Sequence, residues 1–180
     1  MVALHGLGGD ENAVLLGPAG RAHKDEADKY GWITATPKGR EPTSLFRGAA
    51  EQDVLDVIAE ARKLYRIDDR RIYLTGHSMG GFGTWSIAQN HPDLFAALAP
   101  MAGGGNPARM EAIKSIPQIV IHGDNDKTIL VTQSRAMVEA ARKLGTDIEY
   151  IEVPGGTHEN LGPNRISKIF EFFASHPKKP

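Results

Sequence analysis

The stretch Arg71 to Trp85, RIYLTGHSMGGFGTW, sets the strongest constraint on the fold of this chain. Ile72-Tyr73-Leu74-Thr75 favours a strand, Gly80 to Asn90 has the character of a helix, and a serine hemmed by glycines stands between them. A strand that turns directly into a helix points to a layered α/β architecture. A simple helix cap would also use serine, but its neighbours could be anything small or polar. Glycines at 76 and 80 suit a turn where strand and helix approach closely, with Ser78 strained and its hydroxyl standing clear. Gly76-His77-Ser78-Met79-Gly80 therefore fits G-x-S-x-G, the pattern of a nucleophile elbow, with a glycine-rich cap as the bland alternative.

The same alternation runs through the chain. Strands are expected at Val2 to Leu4, Trp32 to Thr36, Arg71 to Thr75, Ala96 to Pro100, Gln118 to His122 and Asp147 to Val153. Helical periods mark Ala22 to Tyr30, Gln52 to Tyr65, Gly80 to Asn90, Pro107 to Lys114, Val131 to Leu144 and Arg165 to Ser175. The expectation is one α/β domain over residues 1–180, a three-layer α/β/α fold with a mostly parallel sheet of about six strands. Ligands of such sheets bind at the carboxyl ends of the strands, which directs attention to the loops there.

Composition removes several function classes. Lys plus Arg is 21 against 22 for Asp plus Glu, and no basic patch gathers, so nucleic acid is not an expected partner. The 180 residues contain no cysteine, which excludes disulfides, thiolate metal sites and a cysteine nucleophile. Apolar runs are strand-sized and the N-terminus lacks a signal-peptide layout, so the chain reads as soluble, without a membrane partner. The cytoplasm is its default location, with secretion if a leader precedes Met1. No metal-ligand spacing such as H-E-x-x-H occurs, and neither metal nor cofactor is expected.

A serine hydroxyl is a weak nucleophile and needs a base held by an acid, which in this architecture follow it in the order acid, then histidine. His122-Gly123-Asp124-Asn125-Asp126-Lys127-Thr128 and Gly155-Gly156-Thr157-His158-Glu159-Asn160 each follow a strand and satisfy that order. Of the seven histidines, only His158 lies beyond the acid on a loop at the active end. Asp126, deeper in its loop, suits the acid better than Asp124, which suits a turn bonded to backbone N–H groups. His5 and His122, each before glycine, suit structural hydrogen bonds. Oxyanion donors are expected from the N–H of Met79 and, in His5-Gly6-Leu7-Gly8-Gly9, from that of Leu7.

With these residues in place the sequence resembles the α/β-hydrolase esterases, in particular the phospholipase/carboxylesterase, polyhydroxybutyrate-depolymerase-like and feruloyl-esterase-like group. The likeness runs from HGLGGDEN through EQDVLDVIAEARKLYRIDDRRIYLTGHSMGGFGTW and HPDLFAALAPMAGGG to IHGDNDKTI and GGTHEN. It implies Ser78 as nucleophile, Asp126 as acid, His158 as base, and Leu7 and Met79 as oxyanion donors. It also implies two further strands ahead of Val2, for which the sequence has no residues. Trp32 to Thr36 would then be an exposed edge and a homodimer contact. No insertion long enough for a lid is present, so the expected substrate is a small-molecule ester with a short-chain or small aromatic acyl group. Phe46, Ile129 and Leu161 are expected to line its pocket, and Arg47 to pair with Glu51. A peptidase or feruloyl-type esterase would use the same triad, and a catalytically weak binding module is the reading from another class.

Overall fold

The computed structural model describes residues 1–40 and 43–179. Glu41 and Pro42, in the active-end loop expected over Pro37 to Arg47, and Pro180 of the polar tail lie outside the described residues. Among the described residues five strands form one sheet: β1 (Val2–Leu4), β2 (Tyr73–His77), β3 (Ala97–Met101), β4 (Gln118–Gly123) and β5 (Ile148–Val153). Their spatial order is their chain order, and every pair is parallel. The same residues form six α-helices: α1 (Ala13–Leu16), α2 (Gly20–Tyr30), α3 (Ala49–Leu64), α4 (Met79–Asn90), α5 (Thr132–Lys143) and α6 (Arg165–Ser175). The longest has 16 residues, and among the described residues no helix is long and apolar enough to cross a membrane.

Period-two alternation along the strands divides the core into two layers. Leu4, Leu74, Leu98 and Val120 face α3, α4 and α5 through Val54, Ile58, Trp85, Met137 and Val138. Tyr73, Ala97, Ala99, Ile119 and Ile121 face α6 through Ile169, Phe172 and Phe173, while Ala27 of α2 packs against Ile166 and Phe170 of the same helix. Tyr73 stacks on Phe173 at 4.6 Å between ring centroids. Helices thus cover both faces, and the active-end loops stay at the carboxyl rim.

The expected sixth strand, Trp32 to Thr36, is reduced to a single parallel bridge between Ala35 and Val2. Ala3 N–H donates to Ala35 O and Ala35 N–H to Met1 O, each at 2.9 Å. Local chemistry keeps the ladder short: Gly31, in the left-handed conformation at φ 63°, ends α2 just before it, and Pro37 restricts Thr36 and lacks an N–H of its own. Aromatic packing holds the segment instead, because Trp32 stacks on Tyr73 and Phe170 at 5.2 and 5.4 Å.

The helix expected at Pro107 to Lys114 is a 3-10 helix, Pro107–Ile113, in which Met110 and Ile113 are both buried. Three residues per turn align those two side chains on one face. Helix α1 has no buried residue, so it leaves no hydrophobic period to read in the sequence.

Candidate active site

Ser78 occupies the β2–α4 turn with φ 58° and ψ −117°, a region that L-residues rarely adopt. Such a backbone costs about 1–3 kcal/mol and persists only where its surroundings determine it. Here Ser78 N–H donates to Met101 O at 2.9 Å, and Ser78 O accepts from Phe82 N–H at 3.1 Å. The glycines answer a need for space. A Cβ on Gly76 would lie 2.4 Å from Gly80 O, and one on Gly80 would lie 2.3 Å from Leu4 O. With hydrogens in their place, β1, β2 and α4 meet at backbone distance around the serine.

Two other loops bring their side chains to Ser78 Oγ. His158 Nε2 stands 2.8 Å from Ser78 Oγ, and His158 Nδ1 stands 2.7 Å from Asp126 Oδ2. The loops carrying Asp126 and His158 follow β4 and β5, which pair in register from Gln118 with Ile148 to Gly123 with Val153 and so deliver them side by side. They are laced together: Asn125 N–H donates to Gly156 O at 2.9 Å and Gly155 N–H to Asp124 Oδ1 at 2.7 Å. Asp124 therefore holds the turn, and Asp126 is the aspartate that faces His158.

Asp126 is 2% exposed and uses its two oxygens separately. Oδ1 accepts from the N–H groups of Thr128 and Ile129 at 2.8 and 2.9 Å, which leaves Oδ2 for His158. Burial pushes this carboxyl upward, but the hydrogen bonds from His158, Ile129 and Thr128 together outweigh it and hold the group below its ordinary range. An ionised carboxylate accepting from Nδ1–H leaves Nε2 free to take the serine proton.

Met79 N–H lies at the first position of α4, where the helix supplies unpaired N–H groups and the positive end of its dipole. The β1 loop runs close by, since a Cβ on Gly6 would be 3.6 Å from Ser78 Cβ. Among the described residues, neither Leu7 N–H nor Met79 N–H donates to a protein acceptor. Both are available to a ligand oxygen.

Other expectations change. Phe46, expected at the pocket wall, is wholly buried, edge-on to His5 at 5.2 Å between ring centroids. It fills the space that Gly39 and Gly83 leave open. Leu161 is 2% exposed and packs in the core layer with Ile121 and Ile169. Ile129 is half-buried, and its backbone is the part engaged, donating to Asp126 and accepting from His122. Glu51 accepts from Asn90 and His91 rather than from Arg47. His5 reaches Lys38 O at 2.6 Å and so ties the β1 loop to the next one, as a structural histidine should.

His77 has a part that sequence reasoning missed. Its Nε2–H donates to the backbone carbonyl of His158 at 2.8 Å, the two rings lying 4.8 Å apart. Burial pushes His77 below its ordinary range, so the ring is neutral and can spend its one N–H on that carbonyl. The only signal in the sequence is its place beside the serine. Replacing it by Phe is expected to lower kcat about tenfold, the effect of one lost hydrogen bond, with little change in KM. Steady-state kinetics on p-nitrophenyl acetate would check this.

Known proteins carry the same frame. Residues 47–117 match the model of the prolyl oligopeptidase family. A bifunctional acetylxylan esterase/xylanase of Neocallimastix patriciarum is 28% identical over 146 residues, covering 79% of this chain and 21% of the relative. Cutinase 2 of Thermobifida cellulosilytica is 35% identical over 107 residues, covering 58% of this chain and 38% of the cutinase. The chain thus spans well under half the length of these relatives. Among solved structures, a thermostable esterase superposes with a TM-score of 0.88 at 28% identity, over 98% of this chain and 54% of that one. Esterase PE8 gives 0.74 at 18% identity, over 97% and 91%, a likeness of fold. Superposition to this extent means that the chain has the α/β-hydrolase fold and is similar to esterases.

Proposed function

We propose that this chain is a serine carboxylesterase that hydrolyses short-chain or small aromatic carboxylic esters through an acyl-enzyme. The observation that carries the reading is the unbroken hydrogen-bonded line from Ser78 Oγ through His158 to Asp126. His158 takes the Ser78 proton as the oxygen attacks the ester carbonyl, and the N–H groups of Leu7 and Met79 receive the oxyanion. The C–O bond to the alcohol breaks as His158 returns the proton to it. Water then attacks the acyl-enzyme by the same route and frees Ser78. A short acyl group is supported by the name of one relative, an acetylxylan esterase.

Relatives named as an acetylxylan esterase and as cutinases support an ester substrate. The prolyl oligopeptidase match over residues 47–117 favours a second reading, a peptidase using the same triad. A series of p-nitrophenyl esters from acetate to palmitate, run beside peptide p-nitroanilides, separates the two. The proposal expects ester cleavage that falls as the acyl chain lengthens. Anilide cleavage exceeding ester cleavage would favour the peptidase, and equal rates along the series would remove the short-chain preference.

The two aspartates give a sharper check of the roles. Asp126→Asn is expected to lower kcat by about 10⁴, because an amide no longer stabilises the imidazolium or enforces its tautomer. Asp124→Asn should cost less than about tenfold, since its work is one hydrogen bond to Gly155 N–H. Comparison of the two variants by kcat and by thermal unfolding tests the assignment.

A further inference from the structure

Behind Asp126 stands a second histidine that the proposed chemistry does not use. His122, near the end of β4, is wholly buried. Its Nδ1 lies 2.6 Å from Ser134 Oγ on α5, and its Nε2 lies 2.9 Å from Ile129 O and 3.3 Å from Asp126 Oδ2. The Ser134 hydroxyl in turn donates to Gly103 O at 2.9 Å. The line therefore runs from carbonyl to carbonyl: Gly103 O, Ser134 Oγ, His122 Nδ1, His122 Nε2, Ile129 O. Carbonyl oxygens only accept, so its three contacts need three protons. A serine and a neutral imidazole have two between them. With two, one short contact would set lone pair against lone pair in a buried site, leaving an unsatisfied group there.

We propose that His122 carries a proton on both ring nitrogens, and that this buried imidazolium is a positioning residue that fixes the Asp126 carboxylate and sets how readily His158 accepts a proton. The proposal rests on the roles of Asp126 and His158 given above. A buried cation requires a partner, and the Asp126 carboxylate is within reach. Glu152, opposite His122 in the β4–β5 register, is a second anion. Its own carboxyl is held at about 2, first by Arg135, then by Tyr150, with His122 adding to the effect. From α5 come Ser134 and, on Glu152, Arg135. Strand β3, Ala97–Met101, brings no titratable side chain. Beyond Asp126 stand His158, with His77 and Glu159 beside it.

One carboxylate between two histidines has a kinetic consequence. A proton arriving on His158 meets an Asp126 charge already shared with His122, so protonation of the base is less favoured than with a lone aspartate. The acid limb of kcat/KM, where the base becomes protonated, therefore lies at lower pH than the triad alone would give. Removing the His122 charge should move that limb to higher pH.

The test is nitrogen NMR of the full chain labelled at histidine, read together with pH profiles of His122→Gln and Ser134→Ala. In the wild type at neutral pH, both ring nitrogens of His122 should show one-bond couplings to hydrogen. In Ser134→Ala, which removes the acceptor, only Nε2 should. The acid limb for p-nitrophenyl acetate should rise by about one pH unit in each variant, with the plateau within about tenfold of wild type. A merely structural histidine would lower the plateau without moving the limb. If His122→Gln fails to fold, Ser134→Ala carries the measurement, because it removes a hydroxyl and leaves the ring in place. A single N–H on wild-type His122, or a limb unmoved in the folded variants, overturns the proposal. A wild type without esterase activity whose His122 still carries both protons would count against the hydrolase reading and for the two-proton state.

Discussion

Ser78→Ala is expected to lower kcat toward p-nitrophenyl acetate by about 10⁴–10⁶ while KM and the unfolding temperature stay near wild type. The expectation follows from what the substitution leaves intact. Alanine keeps the Cβ, the backbone donors and the 2.9 Å bond from N–H to Met101 O, and removes only the oxygen that His158 faces at 2.8 Å. Rate should therefore vanish without the fold. Ser78→Gly makes the complementary point. It also lacks the nucleophile, yet it removes the Cβ from a residue held at φ 58°, and is expected to gain about 1 kcal/mol of stability over Ser78→Ala. Denaturant unfolding of the two variants measures the strain that the turn holds. Equal stability would mean that the turn stores none.

The second large effect is on the fold itself. Gly80→Ala is expected to destabilise the chain by about 3 kcal/mol or more, and to lower the unfolding temperature by about 6–12 °C. A new Cβ would lie 2.3 Å from Leu4 O and 2.9 Å from His5 O, both backbone atoms with no rotamer to change. Either β1 moves away from α4 or the helix shifts along β2. Both displacements open the gap between the Leu7 loop and Met79, so any folded fraction should be poorly active with kcat reduced more than KM is raised. Thermal unfolding and kinetics on the same preparation check both halves. A variant that unfolds like wild type would mean that the close approach of β1 to the elbow does not matter.

The fold was legible because its two signals are local. Strands β1, β4 and β5 show in the sequence as short β-favouring runs, and α3 and α5 as amphipathic periods, because each buries one face on the sheet. The elbow was legible for a related reason: Gly76 and Gly80 record, in their lack of side chains, a backbone approach made elsewhere in the chain. Trp32 to Thr36 has strand composition, but whether a run becomes a strand depends on what pairs with it, and this segment meets the free edge of β1 in a single bridge at Ala35. Phe46 and Leu161 mark the matching limit at the site. An apolar residue on a loop reads the same whether it faces substrate or the core, and only the packing around Gly39, Gly83 and Ile169 places these two inside. His122 does make the structural hydrogen bonds expected of it, to Ser134 and to Ile129 O, whereas His77 was hidden, since its partner is a backbone carbonyl 81 residues away.

The central claim is that Ser78 is a nucleophile activated by His158, and it is tested most directly by reaction with a fluorophosphonate followed by mass mapping of the labelled peptide. The account expects one adduct per chain, on Ser78, lost in Ser78→Ala and formed far more slowly in His158→Ala. Ester hydrolysis that continues with Ser78 unmodified, or an adduct at another residue, would contradict it.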